Sequence, residues 1–406
     1  MKRSSTSRSD VASFGASLEP PIDRERALAH LLDLLAIEGL SGREGRVASA
    51  VREKLLRAGC RESWIAHDKA HRKIGRDFEI GNLIVKIPGR RGASRRLFMG
   101  HLDTVPLCRG AEPVRRGDRI VPKGKTALGA DNRTAVACIV TMIEHVLANE
   151  LDHPPLTLLF TVGEEIGLLG ASAVETRDLG DPELGFNYDA NDPQRIGIGA
   201  IGADRFQVEV LGRSSHAGVH PEDGVSAILI AARAIEDAAR RGLFGRIRQG
   251  AREGAANIGR IAGGEATNQV TDRVVLAGEA RSHRKAFLEK ITSEWRRAFE
   301  RAAKSVKNAS GVHGEVRFTA ERSYDAFKLS ERAPIVRLVS EQIRALGGTP
   351  TLHVSNGGLD ASPLNAKGVP TVTLGAGQHH PHTVDEYVDI EEYLGGCRLA
   401  VALATS

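Results

Sequence analysis

Apolar residues first recur at helical spacing after Asp23, where Leu28, Leu31, Leu32 and Leu35 predict a helix with Asp23 as its N-cap. Ser41 followed by Glu44 reads as a capping box for a second helix carrying Val47, Val51 and Leu55. Short apolar runs then predict strands from Asn82 to Ile87, Arg96 to Gly100 and Leu156 to Thr161. Between the last two, Val136, Ile139, Ile143 and Val146 mark a helix from about Thr134 to Leu147. Strands alternating with helices imply an α/β domain around a mainly parallel, buried sheet.

The pattern changes near Gly202, where Phe206, Val208 and Val210 alternate with polar residues as in a half-solvated antiparallel strand. A helix from Pro221 to about Arg240 follows, then strands from Asn257 to Ile261 and Val274 to Ser282. A helix with Phe287, Leu288, Ile291, Trp295 and Phe299 and a strand from Glu315 to Thr319 close this stretch. The order strand-helix-strand-strand-helix-strand predicts an α+β, ferredoxin-like sandwich over residues 202–322. That sandwich is inserted into an α/β domain formed by residues 23–201 and 323–406, which resumes with a helix to Ala345, the strand Val369 to Leu374 and a helix from about Ile390. Residues 1–22, rich in Ser, Ala and Arg without periodicity, are expected to form a flexible tail.

Composition narrows the class. A hydrophobic share of 41% and a charged share of 26% suit a soluble globular protein. No apolar run approaches the ~20 residues of a membrane helix, and no apolar segment follows the basic residues near the start as a secretory signal would. The four cysteines lack C-x-x-C spacing, which speaks against a disulfide framework and fits a reducing compartment, so the expected location is the cytoplasm. The net charge of +5 invites a nucleic-acid reading, but the arginines are scattered and aromatics make up only 4%, so neither nucleic acid nor membrane is an expected partner.

The candidate chemistry lies at the predicted strand ends. His101 and Asp103 follow the strand Leu97 to Gly100, Asp131 lies in a glycine-containing loop before a helix, and Glu164 and Glu165 follow the strand ending at Thr161. Asp189 follows the segment Gly185 to Tyr188, and His379, His380 and His382 follow the strand ending at Leu374. In an open α/β sheet, sites form at the carboxyl ends of strands. Taken singly, a histidine at a strand end is more often structural, and paired glutamates more often begin a solvated helix. Together, two imidazoles and several carboxylates are what two nearby divalent ions need, since each ion takes about four N/O ligands and a shared carboxylate can bridge them.

The segments Gly100-His101-Leu102-Asp103-Thr104-Val105, Leu128-Gly129-Ala130-Asp131 and Glu164-Glu165-Ile166-Gly167 resemble the successive signatures of the M20 metallopeptidases. The peptidase T (tripeptide aminopeptidase) branch is the most similar. Ser215-His216-Ala217-Gly218, Thr267-Asn268, Gly278-Glu279-Ala280-Arg281-Ser282, Gly357-Gly358-Leu359-Asp360-Ala361 and Gly377-Gln378-His379-His380-Pro381-His382 with Glu386 extend the likeness from about residue 24 to the end.

The resemblance implies a dizinc hydrolase, with cobalt or manganese as alternative metals. His101, Asp131 and Asp189 would hold one ion, and Asp131, Glu165 and His382 the other. Glu164 would be the general base, and Asp103 would orient the His101 ring. In the inserted domain, His216 would support the oxyanion, Arg281 would receive a substrate carboxylate, and Asn268 would face the substrate. The inserted domain would act as lid and homodimer interface, and the peptide bond between Asp131 and Asn132 would be cis. Two ligands keep a fallback, His380 for His382 and Asp192 for Asp189. Asn132 stands where the family often has an acid, and Leu359 where a small polar residue is usual.

The resulting expectation is an aminopeptidase releasing the N-terminal residue of tripeptides that carry a free carboxylate. The alternatives are a related amidohydrolase (a dipeptidase, carboxypeptidase-type or N-acyl amino acid hydrolase) and, more remotely, a non-catalytic binding protein.

Overall fold

The computed structural model describes residue 14, residues 20–75 and residues 77–406. The expected tail before residue 20, Phe14 excepted, lies outside the described residues. The chain forms two compact units. The first holds residues up to Gly199 together with Lys328–Ser355 and Leu359–Ser406, and the second holds Ala200–Phe327 with Asn356–Gly358.

In the first unit, a large sheet runs in the order Ile65–His67, Leu83–Ile87, Leu156–Thr161, Arg96–His101, Leu184–Tyr188, Thr371–Leu374, Arg195–Ala200. Its four central strands, from Leu156–Thr161 to Thr371–Leu374, are mutually parallel. Antiparallel pairing appears only on either side of them. The central strands are buried along nearly their whole length because helices cover both faces.

On one face lies the helix Ala130–Ala148, whose Val136, Ile139, Val140, Met142, Ile143 and Val146 are all fully buried. It packs between the sheet and the helices Arg24–Leu35, Gly45–Arg57 and Ile390–Thr405. Each such side chain contributes roughly 1.5–3 kcal/mol relative to exposure, so this helix is anchored along its length. The other face is covered by the short helices Leu169–Ala173 and Ala361–Ala366 over Leu97, Met99, Leu159, Leu364 and Val369. A four-stranded antiparallel sheet links Gln378–His379, Tyr387–Asp389, Arg119–Pro122 and Pro113–Arg116. Among the described residues, no helix is long and apolar enough to cross a membrane.

The second unit has a five-stranded antiparallel sheet in the order Gly245–Gln249, Arg252–Gly263, Arg273–Ser282, Gly202–Leu211, Glu315–Tyr324. The helices Ala227–Arg240 and Lys285–Ser305 pack on it around Phe206, Trp295 and Phe299. The sequence pattern predicts four strands here. It misses the edge strand Gly245–Gln249, in which only Ile247 is buried and arginines flank it, leaving too little apolar alternation to see. The helix expected from Pro221 begins at Ala227 instead, capped by Ser226, with a 3-10 turn at Pro221–Asp223 before it.

The capping box expected at Ser41 and Glu44 does not form. The helix starts at Gly45, and among the described residues no side chain caps it. The Ser41 hydroxyl instead donates to Asp103 at 2.6 Å, and the buried Glu44 carboxylate accepts the N–H groups of Gly42 and Gly163 at 2.9 and 3.0 Å. Both side chains turn inward to support loops at the sheet edge, where buried N–H groups need partners more than a helix end open to water does.

Candidate metal centre

All four central parallel strands end at the same sheet edge. His101 is the last residue of Arg96–His101, Glu164 and Glu165 lie just past Thr161, Asp189 follows Tyr188, and His382 lies beyond Leu374. Gly100 permits the tight approach of strand and helix, because a Cβ there would lie 2.6 Å from the Ala135 Cβ. Gly129, with φ of 79°, turns the chain into the helix that carries Asp131. Asp131 and Asn132 keep non-helical backbone angles inside that helix, and the bond between them is cis, as expected.

The ligand atoms of His101, Asp131 and Glu165 lie within 4.8 Å of one another. His101 Nε2 lies 3.0 Å from Asp131 Oδ1, and His382 Nε2 lies 2.9 Å from Glu165 Oε1 and 3.5 Å from Asp131 Oδ2. Asp131 thus has a histidine against each of its oxygens. Asp189 accepts the Gln378 side-chain N–H at 3.2 Å and feels the charge of Asp131. Asp103 is fully buried, with its Oδ1 3.4 Å from His101 Nδ1, and it accepts the N–H groups of Glu164 at 2.9 Å and Glu165 at 3.2 Å.

Of the fallbacks, His380 sits beside the Tyr387 ring and Asp192 caps its own turn by accepting the Gln194 N–H at 2.8 Å. His382 and Asp189 are the two that meet the acidic cluster.

The electrostatics reflect crowding of like charge. Burial and then the neighbouring Asp189, Asp360 and Glu165 charges hold Glu164 well above the usual carboxylate range, against the pull of His101. Burial and then Asp131 raise Asp189, and burial raises Glu165. Burial would lower His101, but its bonds to Asp103 and Asp131 outweigh that and hold it above its usual value. The bond to Glu165 raises His382 to about 9. Buried carboxylates that raise one another, with imidazoles among them, are the donor set a divalent cation satisfies: it supplies the missing positive charge and takes N and O ligands together.

Several residues support this cluster in ways the sequence does not assign. Glu386, part of the closing motif, accepts the N–H groups of Leu128, Gly129 and Asp131. Arg133 is 1% exposed and donates to the carbonyls of Leu34, Ile37 and Leu102, closing the loops around His101. A charged residue directly after Asp131-Asn132, where the apolar helix begins, was the available clue. Asn132 donates to the Tyr188 carbonyl at 2.7 Å, a bond that an acid at this position could make only when protonated. Asp360 is buried against the Thr161 hydroxyl, and burial raises its carboxyl to about 6.

His216, Asn268 and Arg281 belong to the second unit. His216 and Asn268 are exposed neighbours, with the Ala217 N–H bonded to the Asn268 carbonyl at 2.8 Å. His216 Nδ1 accepts the Gly218 N–H at 3.2 Å, which leaves Nε2 as its donor. Arg281 is half-buried and grips Glu279, two residues before it, through Nε at 2.9 Å and Nη2 at 3.1 Å.

Residues 97–406 match the sequence profile of peptidase family M20/M25/M40. The chain is 30% identical over 383 residues to the uncharacterized protein YqjE of Bacillus subtilis (strain 168), covering 94% of this chain and 98% of that one. The crystal structure of aminopeptidase PepT from Bacillus cereus ATCC 10987 superposes with a TM-score of 0.80 at 31% identity, covering 95% of this chain and 98% of that one. A tripeptidase from Staphylococcus aureus subsp. aureus Mu50 gives a TM-score of 0.83 at 29% identity, with the same coverage of both chains. With a match over most of its length and acidic and imidazole residues gathered at one sheet edge, this chain belongs to peptidase family M20/M25/M40 and is a metallopeptidase.

Proposed function

We propose that the chain is a two-zinc aminopeptidase that releases the N-terminal residue of tripeptides. The observation that carries this reading is the meeting of His101, Asp131 and Glu165 within 4.8 Å, with His382 against both Asp131 and Glu165. In this reading, His101, Asp131 and Asp189 would hold one ion, and Asp131, Glu165 and His382 the other. Bound zinc supplies Lewis acidity to the scissile carbonyl and makes water acidic enough to lose a proton near neutral pH.

The chain's own residues do the rest. Glu164 accepts the proton of the attacking water and delivers it to the leaving amine. Its burial and acidic neighbours bring its affinity for a proton nearer to what shuttling at neutral pH requires. Asp103 fixes the Glu164 backbone and the His101 ring together, so base and ligand keep a set relation. His216 donates from Nε2 to the developing oxyanion, Asn268 lines the substrate side, and Arg281 binds the substrate carboxylate by two parallel hydrogen bonds.

A second reading is a dipeptidase, carboxypeptidase-type or N-acyl amino acid hydrolase with the same metals. Its substrates carry a free carboxylate as well, and Arg281, which keeps N–H groups beyond the two bonded to Glu279, would serve either reading. Activity of the zinc-loaded protein on di-, tri- and tetrapeptides and N-acyl amino acids separates the two. Preferential release of the first residue from tripeptides supports the aminopeptidase, and turnover confined to dipeptides or acyl amino acids rejects it.

A further inference from the structure

Asp131 occupies a position that its own helix does not define. With ψ of 99° at Asp131 and φ of −127° at Asn132, the first turn is broken where the side chain must be aimed. The loop is held from outside. The Glu386 carboxylate, 1% exposed, accepts the N–H of Leu128 at 2.7 Å and of Gly129 at 2.9 Å on one oxygen, and the N–H of Asp131 at 3.0 Å on the other. The N–H groups of Gly129 and Asp131 are donors of the helix N-terminus and that of Leu128 comes just before it, so the carboxylate is stabilised by all three at once. The Asp131 side chain then extends from that pinned nitrogen to His101 on one oxygen and His382 on the other.

Glu386 also stands four residues after His382, at the start of the strand Tyr387–Asp389, which pairs with both Gln378–His379 and Arg119–Pro122. One buried carboxylate therefore joins the segment carrying His382 to the loop carrying Asp131.

We propose that Glu386 is the positioning residue for Asp131, fixing the carboxylate shared by the two metal positions and thereby setting the affinity of both ions. The proposal rests on the two-metal reading above. It differs from a role in holding the His382 segment alone, which would govern one ion only.

Metal-free protein titrated with zinc against a chromogenic chelator, with the unfolding midpoint followed in parallel, tests it. Wild type should take two equivalents. Glu386→Gln, whose amide nitrogen would face N–H donors, should bind both equivalents about 10–100-fold more weakly and show a smaller zinc-induced rise in midpoint. His382→Ala should weaken mainly one equivalent. Glu386→Asp should fall between wild type and Glu386→Gln, and Glu392→Gln, which alters a carboxylate nearby that pairs with His379, should bind as wild type does. Unchanged affinity in Glu386→Gln, or loss of one equivalent only, overturns the proposal. If Glu386→Gln does not fold, wild-type affinity in Glu386→Asp overturns it instead. Fewer than two equivalents in wild type would sink the two-metal reading itself, an outcome distinct from a defect confined to the variants.

Discussion

Asp103 Oδ1 accepts the backbone N–H of Glu164 at 2.9 Å, while its other oxygen takes that of Glu165 at 3.2 Å. One buried carboxylate therefore sets the backbone from which two adjacent glutamates diverge, and the two should fail differently. Glu164→Gln should keep the fold and the metals but lose about 10²–10⁴-fold in kcat, the usual contribution of a general base. Glu165→Gln should lower metal content instead. Elemental analysis and steady-state kinetics on both variants distinguish these outcomes, and exchanged phenotypes would reverse the assignment.

The C-terminal histidines can be separated in the same way. His382 Nε2 lies 2.9 Å from Glu165, whereas His379 bonds Glu392 and stacks on Tyr387 with ring centroids 4.7 Å apart. His382→Ala should lose one of two metal equivalents, while His380→Ala and His379→Ala should retain both. A metal deficit in His380→Ala with full occupancy in His382→Ala would move the ligand to His380.

Glu44 gives a pH dependence with a definite sign. Burial and then Asp103 raise its carboxyl to about 7, and among the described residues its buried Oε2 has no hydrogen-bond partner while Oε1 accepts both N–H groups. The folded protein thus holds this proton up to about pH 7, whereas the unfolded chain releases it near the ordinary value of 4.5. Between those values the folded state binds more protons at this group, so the contribution of Glu44 to stability is full below about 4.5 and is lost as pH rises toward 7. In metal-free protein, the urea midpoint should fall across this window, and Glu44→Gln should flatten the decline because its amide resembles the protonated acid. A variant that declines as steeply as wild type would show that Glu44 does not titrate in this way.

Much of the proposed ligand set is legible in the sequence because His101, Glu165 and Asp189 lie at or just past apolar strands, and strand ends in a parallel sheet converge by topology, whereas Asp131 and His382 reach the same edge from loops. What holds those residues in place is not legible, because it depends on contacts between distant segments. Ser41 and Glu44 look like a local capping box, yet their partners are Asp103 and, besides Gly42, Gly163. Glu386 and Arg133 act on backbone carbonyls and N–H groups, which carry no side-chain signature. The edge strand Gly245–Gln249 is hidden for a related reason: its identity lies in pairing with Arg252–Gly263, not in its own apolar content.

Arg281 offers the sharpest test of substrate class. Its guanidinium is held by Glu279 through two bonds, which keeps the planar fork oriented before any ligand arrives. A substrate carboxylate of the same geometry can replace Glu279 or use the remaining N–H groups, so recognition should depend on the ligand's charge. Arg281→Ala should raise KM strongly for a tripeptide with a free carboxylate and change KM little for the C-terminal amide of the same peptide. Loss of binding shared by ground and transition states appears in KM and leaves kcat near wild type. Glu279→Gln should lower KM for the free acid, since it removes the competing carboxylate. If Arg281→Ala impairs acid and amide equally, the arginine supports the strand Arg273–Ser282 and not the substrate, and the chain then lacks the carboxylate anchor that the tripeptide reading requires.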